Sequence, residues 1–239
     1  MDAASSIAAV ICAAGSSSRM GGIKKEFERL NPAHSLTVLG SAVSAFAAVP
    51  SVEVIVIAVN ENCEAAAREA LPPEYLTAGK PKVLFVNGGK SRRASVFNAL
   101  SLLSPYNPRY VLIHDGARPW VSPSLIENII EEVKKHSAVI PVLPLTETPK
   151  ECTSALDEGR PQGEVVFIKT HLKRANTGGA QTPQAFRFPE ILRAHEKAAE
   201  VEDEEFTDDA EIWGRFCGPV AVIPGSPENR KITFPQDIG

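Results

Sequence analysis

Ile7–Lys25 reads IAAVICAAGSSSRMGGIKK. It opens on an unbroken run of mostly apolar, β-capable residues, the pattern of a strand buried on both faces. At Ala13-Ala14-Gly15 the run gives way to small residues, where such a strand surfaces at one edge of a sheet. Ala, Gly and Ser carry little bulk, so backbone N–H groups there can come close to a ligand. Arg19, Lys24 and Lys25 follow at once, and cations just beyond such a loop suit a polyphosphate. The stretch therefore predicts a strand leading into a phosphate-handling loop. It is neither a GxxxxGK[ST] loop nor the GxGxxG of dinucleotide folds.

Outward from this strand, strand and helix patterns alternate. Val54–Val59 is a continuous apolar run, Lys82–Val86 a shorter one ending at Asn87-Gly88-Gly89, and Tyr110–His114 another. Between them Val38–Ala47, Cys63–Ala70 and Ser91–Leu103 read as helices, the last with Val96, Ala99, Leu100 and Leu103 on one face. Ser122 reads as an N-cap with Pro123 at the first helical position, ahead of a stripe of Leu125, Ile126, Ile129, Ile130 and Val133. Unbroken apolar strands separated by helices predict an α/β fold: a Rossmann-like, doubly wound, mostly parallel sheet. Right-handed crossovers then bring the loops at Ala13–Lys25, Asn87–Ser95 and Asp115–Pro119 to one edge, where open sheets bind ligands.

The pattern changes after the strand Ala138–Pro144. Turn signals at Glu158-Gly159 and Gln162-Gly163, then strand-like Val165–Thr170, predict a two-stranded arm projecting from the domain, roughly residues 145–174. An exposed β arm packs commonly on a partner subunit, so a homodimer is expected. Gln181–Phe186, a helix near Pro189–Glu200, an acidic stretch Glu200–Glu211 whose Glu200–Glu205 part reads as a solvated helix end or loop, and a last strand near Val220–Ile223 follow. The 239 residues are read as one domain with the arm inserted in it.

Composition narrows the partners. Net charge is −4, so no global basic field recruits nucleic acid or an acidic membrane, and an anion must be met by clustered cations. No apolar run approaches the roughly 20 residues of a membrane span. No basic start with an apolar run precedes Arg19, and the four cysteines lack CxxC spacing, so a cytoplasmic, reduced protein is expected. Cys12 reads as a small apolar core residue, and His114 and His171 as packing or surface residues.

Two further clusters carry chemistry. Asn87-Gly88-Gly89 with Ser95 reads either as a backbone approach to a base or ribose, or as a tight turn with a helix cap. In His114-Asp115-Gly116-Ala117-Arg118-Pro119, a carboxylate directly after a buried strand suits Mg²⁺ or a sugar hydroxyl, and Arg118 a phosphate. An Asp–Arg structural ion pair is the alternative reading of the same residues.

Seven segments in order, AAGSSSRM, GGKSRRASV, HDGARP, PLTETPK, KRANTGGAQTPQAF, TDDA and ENRKIT, resemble the blocks of the 2-C-methyl-D-erythritol 4-phosphate cytidylyltransferases of the non-mevalonate isoprenoid pathway. The ribitol-5-phosphate cytidylyltransferases share several of them and are the second reading. An NAD(P) oxidoreductase or a non-catalytic nucleotide-binding regulator is disfavoured by the missing GxGxxG and by the joint presence of Arg19, Lys25, Asp115 and Lys231.

The resemblance implies transfer of CMP from CTP to a sugar phosphate with Mg²⁺ or another divalent cation. It implies that Arg19 and Lys25 stabilise charge at the α-phosphate, and that Ala13, Ala14, Gly15, Gly89 and Ser95 form the cytosine pocket. Asp115 and Gly116 then lie near the ribose, phosphates and metal. Arg118, Thr148, Thr182 and Thr207 surround the acceptor, and Arg174 and Lys231 orient it, the arm completing the partner's site. The chain departs from the family in a segment between Arg19 and Lys25 one residue shorter than usual, in Lys24 where proline often stands, and in Lys90 at an often acidic position. Of Lys24 and Lys25, Lys25 is expected to reach the α-phosphate.

Overall fold

The computed structural model describes residues 6–17, 20–30, 36–77, 79, 81–156, 165–201 and 206–238. Arg19, the turn signals at 158–163 and residues 202–205 of the acidic stretch lie outside the described residues.

Strand β1 (Ile7–Ala13) lies at the middle of an eight-stranded sheet. It pairs in parallel with β2 (Val52–Val59) on one side, which pairs in parallel with β3 (Lys82–Asn87). On its other side β1 pairs in parallel with β4 (Tyr110–Asp115). The order of strands thus reverses between β1 and β4, which makes a crevice at their C-terminal ends.

Because side chains of a strand alternate between faces, β1 feeds two cores. Ile7, Ala9, Ile11 and Ala13 pack with α1 (Val38–Ala47) and α4 (Pro123–His136). Ala8 and Val10 pack with α3 (Arg92–Leu103) and α5 (Phe188–Glu200). Between α1 and α3 the short α2 spans Glu64–Glu69. Helix α4 begins as its sequence predicts, the Ser122 hydroxyl accepting from Leu125 N at 3.2 Å, with all five stripe residues buried.

The far half of the sheet is mixed. β5 (Ala138–Pro144) is reached after α4, and the chain then leaves for the arm: β6 (Lys150–Cys152) and β7 (Ile168–His171) pair antiparallel as a two-stranded sheet of their own. The second arm strand begins at Ile168, not Val165, because Cys152 pairs with Ile168 across an irregular register. Val165 and Phe167 before it are 72% and 69% exposed, an apolar surface on the arm. The chain returns along β5 as β8 (Gly178–Ala180) and β9 (Gln184–Arg187), the latter antiparallel to both β4 and β5 and wedged between them.

The acidic stretch ends in a helix. Asp208 caps a helix, α6 (Asp209–Phe216), by accepting from Glu211 N at 2.9 Å, and Ile212 and Trp213 bury against the α5 side of the sheet. β10 (Ala221–Pro224) closes the sheet in parallel with β5.

Candidate active site

The three loops meet. A cleft of about 480 Å³ at the C-terminal ends of β1 and β4 is walled by Ala14–Ser17 and Lys25-Glu26, by Gly89–Arg92 and Ser95, and by Asp115, Ala117 and Lys231. Asp115 is held beside β1 by the strand register, where it pairs with Cys12, and Gly116 N donates to Cys12 O at 2.9 Å. A Cβ on Gly116 would stand 2.9 Å from that carbonyl, so only glycine lets β4 turn this close to β1.

Gly88 does the same for the second loop. A Cβ there would collide with Ala14 Cβ and lie 3.0 Å from Ser95 Oγ. Ser95 Oγ accepts from Gly89 N at 3.0 Å and donates to Ser91 O at 2.9 Å, so the turn and the start of α3 are stitched together. Gly88→Ala is expected to push this loop off Ala14, costing about 1–3 kcal/mol of stability and widening the cleft. Denaturant unfolding beside a crystal structure of the variant checks both effects.

The first loop places its two lysines differently. Lys25 is buried in the cleft wall, whereas Lys24 Nζ donates to Gly15 O at 2.7 Å and braces the loop on itself. Glu26 is buried beside Lys25, takes a hydrogen bond from Ser17 Oγ at 3.3 Å, and has its carboxyl raised above the usual range chiefly by burial.

Asp115 is the electrostatic centre. Its Oδ2 lies 2.9 Å from Lys231 Nζ and 3.6 Å from Arg118 Nε, and its Oδ1 lies 3.5 Å from Arg92 Nε. Burial alone would raise this carboxyl, but Lys231 and Arg92 outweigh it and hold it well below the usual carboxylate range. It is ionised at any physiological pH.

Lys231 is presented by the segment after β10. Gln181 Nε2 donates to Ser226 O and Asn229 O, Asn229 Nδ2 donates to Thr182 O at 2.7 Å, and Arg118 NH1 donates to Asn229 O at 2.7 Å. Ile232 N then donates to Ala117 O and the Ile232 side chain is fully buried, which fixes the backbone on both sides of Lys231.

Under Asp115 lies a buried polar stack. Burial pushes the His114 imidazole down to about 4, so it is neutral at pH 7. Its Nε2 faces the Arg118 carbonyl at 3.1 Å and must be the donor, which leaves Nδ1 to accept from Thr182 Oγ1 at 3.0 Å. The Thr182 oxygen in turn accepts from Asp115 N at 3.1 Å. Asp115 and Arg118 are the charged groups facing this ring, and they act in opposite directions, Asp115 raising and Arg118 lowering it. Because the unfolded state binds the His114 proton more tightly, stability falls as pH drops from 6.5 toward about 4. His114→Gln is expected to flatten that slope by about 1 kcal/mol per pH unit, read from metal-free unfolding curves at several pH values.

The residues singled out in the sequence thus divide. Ala14, Gly15, Lys25, Gly89, Ser95, Asp115 and Lys231 line the cleft, with Ala13 and Gly116 directly behind its floor. Arg118 and Thr182 sit beneath it, holding Asp115 and the Lys231 segment. Thr148 and Arg174 belong to the exposed arm, where Arg174 NH1 donates to Thr146 O at 2.8 Å, and Thr207 is exposed at the α6 start, bonded to Glu211. Arg92 and Asp209 were not singled out. Arg92 lines the cleft and bonds the fully buried Asp209 at 2.8 Å, a contact between residues 117 positions apart.

A doubly wound sheet whose switch-point crevice is lined by a small-residue loop, an ionised aspartate and Lys25, Lys90 and Lys231 defines a Rossmann-like α/β protein. The chain belongs to the 2-C-methyl-D-erythritol 4-phosphate cytidylyltransferase (IspD) family, whose model matches residues 7–239. It is 37% identical over 237 residues to the bifunctional enzyme IspD/IspF of Brucella anthropi, covering 98% of this chain and 54% of that one. It is 34% identical over 233 residues to the Bartonella tribocorum enzyme of the same name, covering 98% and 54%. The chain therefore spans about half the length of these curated relatives. Its fold matches 4-diphosphocytidyl-2C-methyl-D-erythritol synthase of Anaerococcus prevotii with a TM-score of 0.77 at 27% identity, over 98% of this chain and 92% of that one. It matches the 2-C-methyl-D-erythritol 4-phosphate cytidylyltransferase of Thermus thermophilus with a TM-score of 0.67 at 30% identity, over 98% and 95%.

Proposed function

We propose that the chain transfers CMP from CTP to 2-C-methyl-D-erythritol 4-phosphate in the cytoplasm, releasing pyrophosphate. The observation that carries this reading is the meeting of Lys25, Lys231 and Asp115 in one cleft with the small-residue loop and the Gly89–Ser95 turn. A phosphate monoester is largely dianionic at neutral pH, since its second pKa is about 6. Its oxygen attacks the α-phosphorus of CTP directly; the new O–P bond forms as the bond to the pyrophosphate oxygen breaks, and no general base is required. The protein's task is to bring two anions into line and to stabilise charge on the α-phosphate and the leaving group. Lys25 supplies positive charge from the loop side and Lys231 from the opposite wall, and the family resemblance gives Arg19 the same duty as Lys25. The backbone of Ala14, Gly15 and Gly89 accommodates the base, and Ser95 keeps the Gly89 turn in shape.

Among the described residues no three His, Cys, Asp or Glu side chains cluster as a metal cage. Mg²⁺ is commonly held by one or two carboxylates plus substrate phosphates, and the ionised Asp115 fits that donor set. Bound with the nucleotide there, the ion would neutralise phosphate charge. Incubation with CTP, Mg²⁺ and either methylerythritol phosphate or ribitol 5-phosphate tests the assignment. Pyrophosphate release with the first acceptor supports it; release with ribitol 5-phosphate alone moves the acceptor, and release with neither defeats it.

Arg174 and Thr148 do not line the cleft of their own chain. The reading that gives them a role is a homodimer in which the arm of one subunit reaches the cleft of the other, covering the apolar surface of Val165, Phe167 and Ile168. Excision of the arm is expected to halve the apparent mass in gel filtration at micromolar concentration. A monomeric intact protein would contradict the dimer.

A further inference from the structure

Arg92 is the first residue of α3, and its guanidinium spans two carboxylates brought together from distant parts of the chain. Nε lies 3.5 Å from Asp115 Oδ1 and NH1 lies 2.8 Å from Asp209 Oδ2. Asp209 is wholly buried, and its other oxygen faces the equally buried His195 Nε2 at 3.1 Å. The backbone carrying Asp209 is fixed as well: Gln184 donates to Asp208 Oδ2 at 2.7 Å and accepts from Ala210 N at 3.0 Å. Parting Arg92 from Asp209 would leave a buried charge without its counterion, so the guanidinium is anchored from behind. Its Nε edge is thereby held against Asp115, whose second oxygen meets Lys231 Nζ at 2.9 Å.

Building on the cytidylyltransferase reading, we propose that Arg92 is a positioning residue for the reaction: anchored by Asp209 and His195, it sets the plane of the Asp115 carboxylate and, through it, the place of Lys231 in the cleft. Arginine is needed because two bonds leave the guanidinium in fixed directions, whereas a lysine ammonium reaches one carboxylate and leaves the other. The buried Asp209–His195 pair, directly behind the cleft-lining Arg92, then belongs to the machinery that holds the reacting groups.

R92K and D209N test this, each assayed with CTP, Mg²⁺ and methylerythritol phosphate. A misplacement of about 1 Å costs on the order of 10²-fold, so kcat is expected to fall by about 10- to 100-fold in each variant while the KM for CTP stays within about threefold. Both substitutions cut one link, so the double variant is expected within about threefold of the worse single one. A merely structural role would lower the melting temperature and the folded fraction but leave kcat per folded molecule intact. Wild-type kcat in folded R92K, or losses that multiply in the double variant, overturns the proposal. A crystal structure of D209N gives a readout independent of turnover, in which the Asp115–Lys231 pair is expected to be displaced from its 2.9 Å contact. Unchanged geometry there overturns the positioning role, whereas absence of turnover in the wild-type protein defeats only the reaction assignment.

Discussion

Lys25→Ala is expected to lower kcat by about 10²- to 10³-fold while raising the KM for CTP by less than about tenfold. Lys25 is 8% exposed in the cleft wall, so its charge acts where water is largely excluded and the field on a developing phosphorane is strong. Lys24 cannot take over, because its ammonium is committed to Gly15 O at 2.7 Å. Lys24→Ala therefore loosens the loop and is expected to raise the KM for CTP more than it lowers kcat. The pair of variants, compared in steady-state kinetics, separates a residue that stabilises the transition state from one that shapes the ground-state pocket. Near-normal kcat in Lys25→Ala, or the larger kcat loss in Lys24→Ala, would reverse their roles.

The second large effect is expected from Asp115→Asn. The amide keeps the shape of the side chain but removes the charge on which Lys231, Arg92 and Arg118 converge. Arg92 retains Asp209, but Lys231 loses the carboxylate it meets at 2.9 Å and turns toward solvent or substrate phosphate. We expect kcat/KM to fall by about 10²-fold or more, as for loss of a group that orients reacting atoms. Stability is expected to fall by about 1–3 kcal/mol, below the full cost of breaking a buried pair, because the Lys231 and Arg92 side chains are 40% and 31% exposed. At about 2–4 °C per kcal/mol for a domain of this size, a melting curve resolves the shift. Full activity with a lowered melting temperature would make Asp115 a structural anion only.

The central sheet was legible because its strands are buried on both faces: runs such as Val54–Val59 admit no polar side chain, and helices with clear stripes separate them. Convergence of the three loops followed from handedness alone. The place of β9 was not legible. Gln184–Arg187 reads as a strand, but that it runs antiparallel between β4 and β5 depends on the arm, which lets the chain leave β5 and come back alongside it. Helix α6 was hidden by its own cap, since Asp208, Asp209 and Glu211 look like a solvated acidic run, and only Ile212, Trp213 and Phe216 betray a buried face. A cap followed three residues later by an acidic residue and then by apolar residues at helical spacing was the available signal.

The site divides along the same line. Residues that act through local chain geometry, such as Gly89, Ser95 and Asp115 at strand ends, announce themselves by position. Arg92 does not, because an arginine in the first turn of a helix ordinarily faces solvent. Its meaning arises only when Asp115 and Asp209, 23 and 117 residues further on, fold against it. Thr182 shows the converse. Its motif pointed to the acceptor, yet its hydroxyl is committed beneath the cleft, between His114 and Asp115 N.

The most direct test of the reaction follows the α-phosphorus itself. The protein is incubated with Mg²⁺, methylerythritol phosphate and CTP labelled at the α-phosphate, in parallel with CTP labelled at the γ-phosphate. In-line attack by the acceptor predicts that the α label appears in CDP-methylerythritol and the γ label in pyrophosphate, in equal amounts. An α label recovered as free CMP, or left in CTP while the acceptor is untouched, would contradict the account.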